Sequence, residues 1–190
     1  MTQVVSPVAG RLMKFYESDV QSIKSASTHK TYYPVYHVND FKIRFAGKLR
    51  SAFQTMVINL SDTYSLIGEW MAELRDIQQQ VDRLRFRTNL ERIGELAAIE
   101  ISKKLQYDDR EVQTPLGIAA CKILKEQPVL ATILRAGLPL HNGLLRIFDK
   151  ADNAFISAYR KHKIDGSFDI SMEYLSSPDL DGRIIILSDP

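Results

Sequence analysis

The hydrophobic pattern of this chain changes period twice along its length. Through the first 55 residues the apolar positions follow neither a helical nor a strand repeat for long. Two short stretches are exceptions. Tyr32-Tyr33-Pro34-Val35-Tyr36-His37-Val38 is aromatic and β-branched, which predicts a short strand that Pro34 keeps toward an edge. Phe41-Lys42-Ile43-Arg44-Phe45 alternates apolar and basic residues and predicts a second. From residue 61 the repeat becomes helical. Leu66, Ile67, Trp70, Met71, Leu74 and Ile77 share one helix face, with Ser61 or Asp62 as the cap and Trp70 and Met71 read as core. Leu90, Ile93, Ala97 and Ile101 form a second stripe, on a helix expected to start at Thr88 or Asn89. Lys103 and Lys104 close it, where cations suit the helix dipole. Tyr107-Asp108-Asp109-Arg110 then breaks the pattern and reads as a solvated turn rather than a metal site, since no third ligand is near.

In the second half the apolar runs become short and continuous. Val129–Leu134, Ala154–Tyr159 and Arg183–Ser188 read as buried strands. Leu138–Phe148 reads as a helix with Leu140, Leu144, Leu145 and Phe148 inward, and Ser167–Leu175 as an extended arm. Buried strands alternating with helices predict an α/β fold, with N-terminal helices and a mostly parallel sheet covered on both faces.

Composition changes this picture in one respect. The whole is ordinary, at 45% hydrophobic and 25% charged, which excludes a disordered, collagen-like or disulfide-built chain. The net charge of +2 is unevenly placed, however. Residues 1–55 hold eight basic and three acidic side chains, while the remainder carries a small acidic excess. The expected organisation is therefore a basic extension of unknown structure over 1–55 joined near Met56 to a second piece, 56–190. Without a dense basic run, the extension is read as solvated and a nucleic-acid partner is not expected. No apolar run approaches the ~20 residues that a membrane helix needs, and no signal-like segment opens the chain, so the expected location is cytoplasmic. Cys121 has no second cysteine to pair with and is read as a small core residue. His141 is read as a polar surface position.

The candidate chemistry sits at strand ends. Arg135 follows the first buried strand, Arg160 the second, and Asp189 the third. In parallel sheets, ligands bind beyond the carboxyl ends of the strands, where loop amides and helix N-termini converge. Two guanidiniums suit phosphate oxygens, and a carboxylate suits ribose hydroxyls or a hydrated magnesium ion. Ordinary loop charges would also produce such a set, and spacing alone leaves both readings open.

The local sequences add to this. Ile133-Leu134-Arg135-Ala136-Gly137-Leu138, Tyr159-Arg160, Thr114-Pro115-Leu116-Gly117 and Ile185-Ile186-Leu187-Ser188-Asp189-Pro190 resemble the uracil phosphoribosyltransferases, of the type I phosphoribosyltransferase fold. The resemblance covers residues 56–190. It implies transfer of the phosphoribosyl group of phosphoribosyl pyrophosphate (PRPP) to uracil, giving uridine monophosphate (UMP) and pyrophosphate. Arg135 and Arg160 would contact phosphates and Asp189 the ribose hydroxyls. It further implies Mg²⁺ travelling with PRPP, a homodimer and, in some members, activation by GTP. It identifies no catalytic residue and no protein-held metal. In the family, Asp-Pro continues into a phosphate-cradling Met-Leu-Ala-Thr-Gly loop and later into the groups that read uracil. The fold is therefore expected to be incomplete at its C-terminus, with an unpaired edge at Ile184–Leu187 and no activity in the 190-residue chain. The alternative is a non-catalytic regulatory or RNA-binding homologue using the same fold.

Overall fold

The computed structural model describes residues 35–39, 42–49, 52–62, 64–162 and 168–189, with side chains at 57–62, 64–157 and 174–189. Among these residues, nine strands and three helices follow in the order β1 (Val35–Asn39), β2 (Lys42–Leu49), β3 (Ala52–Asn59), α1 (Leu66–Arg75), α2 (Arg83–Ser102), β4 (Tyr107–Thr114), β5 (Gly117–Leu124), β6 (Val129–Leu134), α3 (Leu138–Ile147), β7 (Asp152–His162), β8 (Phe168–Ser176) and β9 (Ile185–Ser188). Seven strands form one sheet in the order β3-β2-β1-β9-β6-β7-β8. Its four central strands, β1, β9, β6 and β7, run parallel, and antiparallel strands extend it on either side. This is the α/β architecture that the alternation of apolar runs and helical stripes implies.

β9 and β6 are the driest part of the sheet. Leu130 and Ile186 stand level with each other and join the helices in one core with Ile93, Ala97, Ile101, Leu140 and Leu144. Side chains alternate along a strand, so Val129, Ala131, Ile185 and Leu187 face the other way, and these too are buried. A strand buried on both faces must be apolar throughout, which is why the sequence shows runs here instead of alternation. The edge expected at Ile184–Leu187 does not exist. β1 pairs in parallel with β9, Val35 beside Ile185 and Val38 beside Ser188, and so satisfies the backbone groups that β6 leaves open. The strands expected around Val35 and Ile43 are present, and Met56 lies within β3, opposite Phe45 of β2.

Both N-terminal helices start later or earlier than their stripes suggest. Ser65, not Ser61 or Asp62, caps α1 by accepting from the Ile67 amide, and Ile67, Met71 and Leu74 point inward. Asp82 caps α2, accepting from Leu84 and Arg85, each at 3.0 Å. Thr88 and Asn89 are therefore interior positions, because the first turns of α2 are solvent-facing and carry no stripe to announce them. Asn89 is buried and donates to Glu73 of α1 at 2.6 Å, while Arg85 Nε reaches the same carboxylate at 2.7 Å. These bonds, led by that from Arg85, pull the Glu73 carboxyl from its ordinary 4.5 down to about 2.

α2 and α3 meet backbone to backbone. A Cβ on Gly143 would lie 2.0 Å from the Glu91 carbonyl oxygen, and one on Gly94 would lie 2.3 Å from that of Leu140. The contact is flanked by Arg146, which donates to Glu91 at 2.8 Å and Glu95 at 2.9 Å. On its other side α3 buries His141, which is 2% exposed and no surface residue. Its Nε2 lies 2.9 Å from Asn153 Oδ1 of β7, and its ring tilts against Phe155, leaving Nδ1 without a partner among the described residues. Burial holds this imidazole below its ordinary 6.5, with the Asn153 bond opposing in part.

The segment read as a turn at Tyr107–Arg110 is instead the start of a two-stranded ribbon, β4 against β5. Its sequence lacked a strand signal because neither face is buried. Asp109 pairs with Lys122 across the ribbon, and Cys121, opposite Arg110, is only half-buried rather than core. At the tip, Gly117 takes φ of +133°, a conformation that only glycine adopts at little cost. The Thr114 hydroxyl donates to the Gly117 carbonyl at 2.7 Å.

Two outcomes are expected. Gly143→Ala gains up to about 1 kcal/mol of helix propensity but must separate two helix backbones, an overpacking cost of roughly 1–3 kcal/mol or more. It should lower the thermal midpoint by several degrees, whereas Gly68→Ala on α1, where nothing lies within 4 Å, should raise it. The acid response should have two windows. A depressed pKa means the unfolded chain takes up protons first, so stability should fall below pH 6.5 through His141 and again below 4.5, toward 2, through Glu73. Unfolding midpoints across pH should lose the upper decline in His141→Gln and the lower one in Glu73→Gln.

Candidate functional site

β9 ends at Ser188 and β6 runs two residues past that level, to Leu134. Thr132 is level with Ser188, so Arg135 lies three residues beyond that pair on one strand and Asp189 one residue beyond it on the other. The two strand ends are cross-linked by their own hydroxyls. Thr132 Oγ1 donates to the Ser188 carbonyl at 3.2 Å, and Ser188 Oγ donates to the Ala131 carbonyl at 3.2 Å. Both side chains are fully buried.

After Leu134 the chain turns through Arg135, Ala136 and Gly137 directly into α3. The Leu134–Arg135 peptide bond is cis. Gly137 donates to the Ile133 carbonyl at 3.0 Å and accepts from the His141 amide at 2.9 Å, closing the turn onto both strand and helix. A Cβ here would lie 2.2 Å from Thr132 Oγ1 and 2.8 Å from the Ser188 carbonyl oxygen. The turn thus rests on the very peptide unit from which Asp189 departs, and only glycine permits that approach. No side chain caps α3, and Pro139 in its first turn has no amide hydrogen to satisfy. The first amides of the helix are already engaged, Gly137 with the Ile133 carbonyl and Leu138 with that of Arg135 at 3.3 Å, so the helix start contributes chiefly a partial positive charge beside the strand ends.

Arg135 is exposed in the turn, and among the described residues no carboxylate pairs with it. The arginines that hold the fold differ, since Arg85, Arg146 and Arg183 all bind carboxylates. Asp189 is half-buried directly after β9. Arg160 belongs to β7, three residues past Ser157, the partner of Leu134, and stands opposite Ile170 of β8. Its backbone therefore continues past the end of β6 on the same side of the sheet, while its side chain lies outside the described residues. Among the described residues no three His, Cys, Asp or Glu side chains are grouped to hold a metal. No described helix is long and apolar enough to cross a membrane.

Three participants were not legible in the sequence. Thr132 and Ser188 sit inside apolar runs, where a hydroxyl reads as a tolerated interruption. Gly137 reads as a turn former, but its need for close approach depends on which strand lies beneath it. The opposite, amino-terminal end of the strands is built quite differently. There Arg183 donates to Asp152 at 2.9 Å and to the Gln127 carbonyl, closing the sheet with a paired cation.

Comparison with known proteins identifies a family. A family model described as uracil phosphoribosyltransferase matches residues 62–190. A curated relative of that name from Porphyromonas gingivalis is 53% identical over 134 residues, which covers 70% of this chain and 62% of the relative. Another, from Methanothermobacter thermautotrophicus, is 34% identical over 112 residues, or 58% of this chain and 51% of that one. The chain thus spans somewhat over half the length of these relatives. Among solved structures, that of the AQ2163 protein from Aquifex aeolicus superposes with a TM-score of 0.56 at 25% identity, covering 67% of this chain and 60% of its own. With most of its length matched by the family model, the chain belongs to the uracil phosphoribosyltransferase family.

Proposed function

We propose that this chain carries the PRPP-binding part of an enzyme that transfers the phosphoribosyl group of PRPP to uracil, yielding UMP and pyrophosphate. The observation that carries the reading is the meeting of Arg135, exposed and without a carboxylate partner among the described residues, with Asp189 at the shared carboxyl ends of β6 and β9. As uracil nitrogen attacks the anomeric carbon, the bond to pyrophosphate breaks and negative charge grows on the leaving group. A fixed cation aimed at those oxygens stabilises that charge more in the transition state than in the ground state. Arg135 takes this role, helped by the partial positive charge at the start of α3, and Arg160 is assigned a second phosphate contact. Asp189 accepts hydrogen bonds from the ribose hydroxyls and so orients the sugar. Mg²⁺ enters as part of the substrate, bound to the oxygens of PRPP.

Activation by GTP and a cytoplasmic site of action belong to the same proposal and rest on the family. Homodimerisation has in addition a surface to carry it. The β4–β5 ribbon pairs with no third strand among the described residues, and two strands alone are marginally stable in water. It exposes Leu116 fully, Ile118 by 69% and Ile123 by 41%, and a second copy of the chain is the proposed cover. Its root is fixed by Lys125 donating to the Gln106 carbonyl and by the Tyr107 hydroxyl donating to that of Ser102.

Calorimetric titration with Mg²⁺-PRPP tests the site. Binding should be measurable, and Arg135→Ala should weaken it by roughly 10- to 100-fold, the worth of a charge-assisted bond of about 1.5–3 kcal/mol. Absence of binding to the unaltered chain would overturn the reading. Sedimentation analysis tests the ribbon: the chain should be a dimer, and the Leu116→Glu, Ile118→Glu double variant a folded monomer.

A further inference from the structure

We infer that Thr132 and Ser188 are positioning residues for the PRPP site, acting through the Arg135 turn and Asp189; this rests on the function proposed above. The fold itself does not require these hydroxyls. β6 and β9 are already joined by a parallel backbone ladder, and their other buried side chains are apolar. Valine at 132 has the shape of threonine and suits a buried strand at least as well. Yet both strands carry a hydroxyl at the same level, the last at which they pair, and each donates to a carbonyl of the other.

The two bonds act on the site in different ways. The Thr132 bond holds the carbonyl of Ser188, and this peptide unit continues into the nitrogen of Asp189. Fixing that carbonyl fixes the plane from which Asp189 leaves the sheet. The same hydroxyl is the nearest atom beneath Gly137, so it sets the height at which the Arg135 turn rests on the strands. One oxygen therefore spaces a cation-bearing turn and a carboxylate-bearing strand end. The Ser188 bond closes the pair by tying β9 back to Ala131, which keeps the strands from sliding where the ladder stops. A ligand that spans phosphate and ribose needs those two groups at a fixed separation, since small misplacements of binding groups are costly to affinity and rate.

The test compares Mg²⁺-PRPP affinity and thermal unfolding in Thr132→Val, Thr132→Ser, Ser188→Ala and Arg135→Ala chains. Thr132→Val and Ser188→Ala should each weaken PRPP binding five- to tenfold or more while the unfolding midpoint moves by only a few degrees. Thr132→Ser, which keeps the hydroxyl, should restore affinity to within about twofold. Adding Thr132→Val to Arg135→Ala should weaken binding less than it does alone, because the hydroxyl acts through the turn. Unchanged affinity in Thr132→Val and Ser188→Ala, with binding intact in the parent chain, overturns this inference and leaves the proposed function standing. Failure of the parent chain to bind PRPP overturns both. Should Thr132→Val not fold, Ser188→Ala and Thr132→Ser decide the matter. Normal affinity in Ser188→Ala, or loss in Thr132→Ser equal to that in Ser188→Ala, counts against it.

Discussion

The architecture depends on two positions that carry no side chain. Gly94 and Gly143 let α2 and α3 touch through their backbones, at a distance no other residue permits. That contact fixes α3 against α2, and the apolar face of α3 then lies on β6 through Leu140 and Leu144. Because α3 begins directly after the β6 turn, its placement also fixes where Arg135 stands. Arg146 reinforces the arrangement from outside, but its two ion pairs are solvent-facing and contribute little beside the steric fit.

A second close approach, at Gly137, repeats the same physical idea at the carboxyl ends of β6 and β9. Here the neighbour is not a helix but a pair of strand termini, and the atoms met are a hydroxyl and a carbonyl. The two ends of the parallel strands consequently differ in kind. At the amino end Arg183 is neutralised by Asp152 and serves the fold. At the carboxyl end Arg135 is exposed, with no carboxylate paired to it among the described residues. In the function proposed above, this exposed arginine is what lets a mildly acidic stretch of chain hold a polyphosphate.

Much of this was legible along the chain, and the exceptions have physical causes. The apolar runs of β6 and β9 announced strands buried on both faces, and Arg135 and Asp189 follow directly after them. The stripe from Leu90 to Ile101 announced α2, but not its first two turns, since residues facing water there carry no periodic signal. The β4–β5 ribbon escaped for the same reason, being exposed on both sides. His141 was misplaced because a lone polar residue between leucines reads as an outward position. Its burial depends on Asn153 and Phe155, which a separate strand, β7, brings against it. Pairing of β1 with β9 was invisible, because nothing in either segment names its neighbour.

That last pairing has a consequence for the birth of the protein. Val35 finds its partner, Ile185, much later along the chain, and β9 is the strand that joins β3-β2-β1 to β6-β7-β8. On the ribosome the two halves of the sheet must both wait for it. During that interval β1 offers an open parallel edge, and β6 another, each able to pair with the wrong strand. High contact order of this kind slows folding. The same four buried residues that make the centre of the mature sheet its driest part thus set the period in which a nascent chain is most in need of a chaperone.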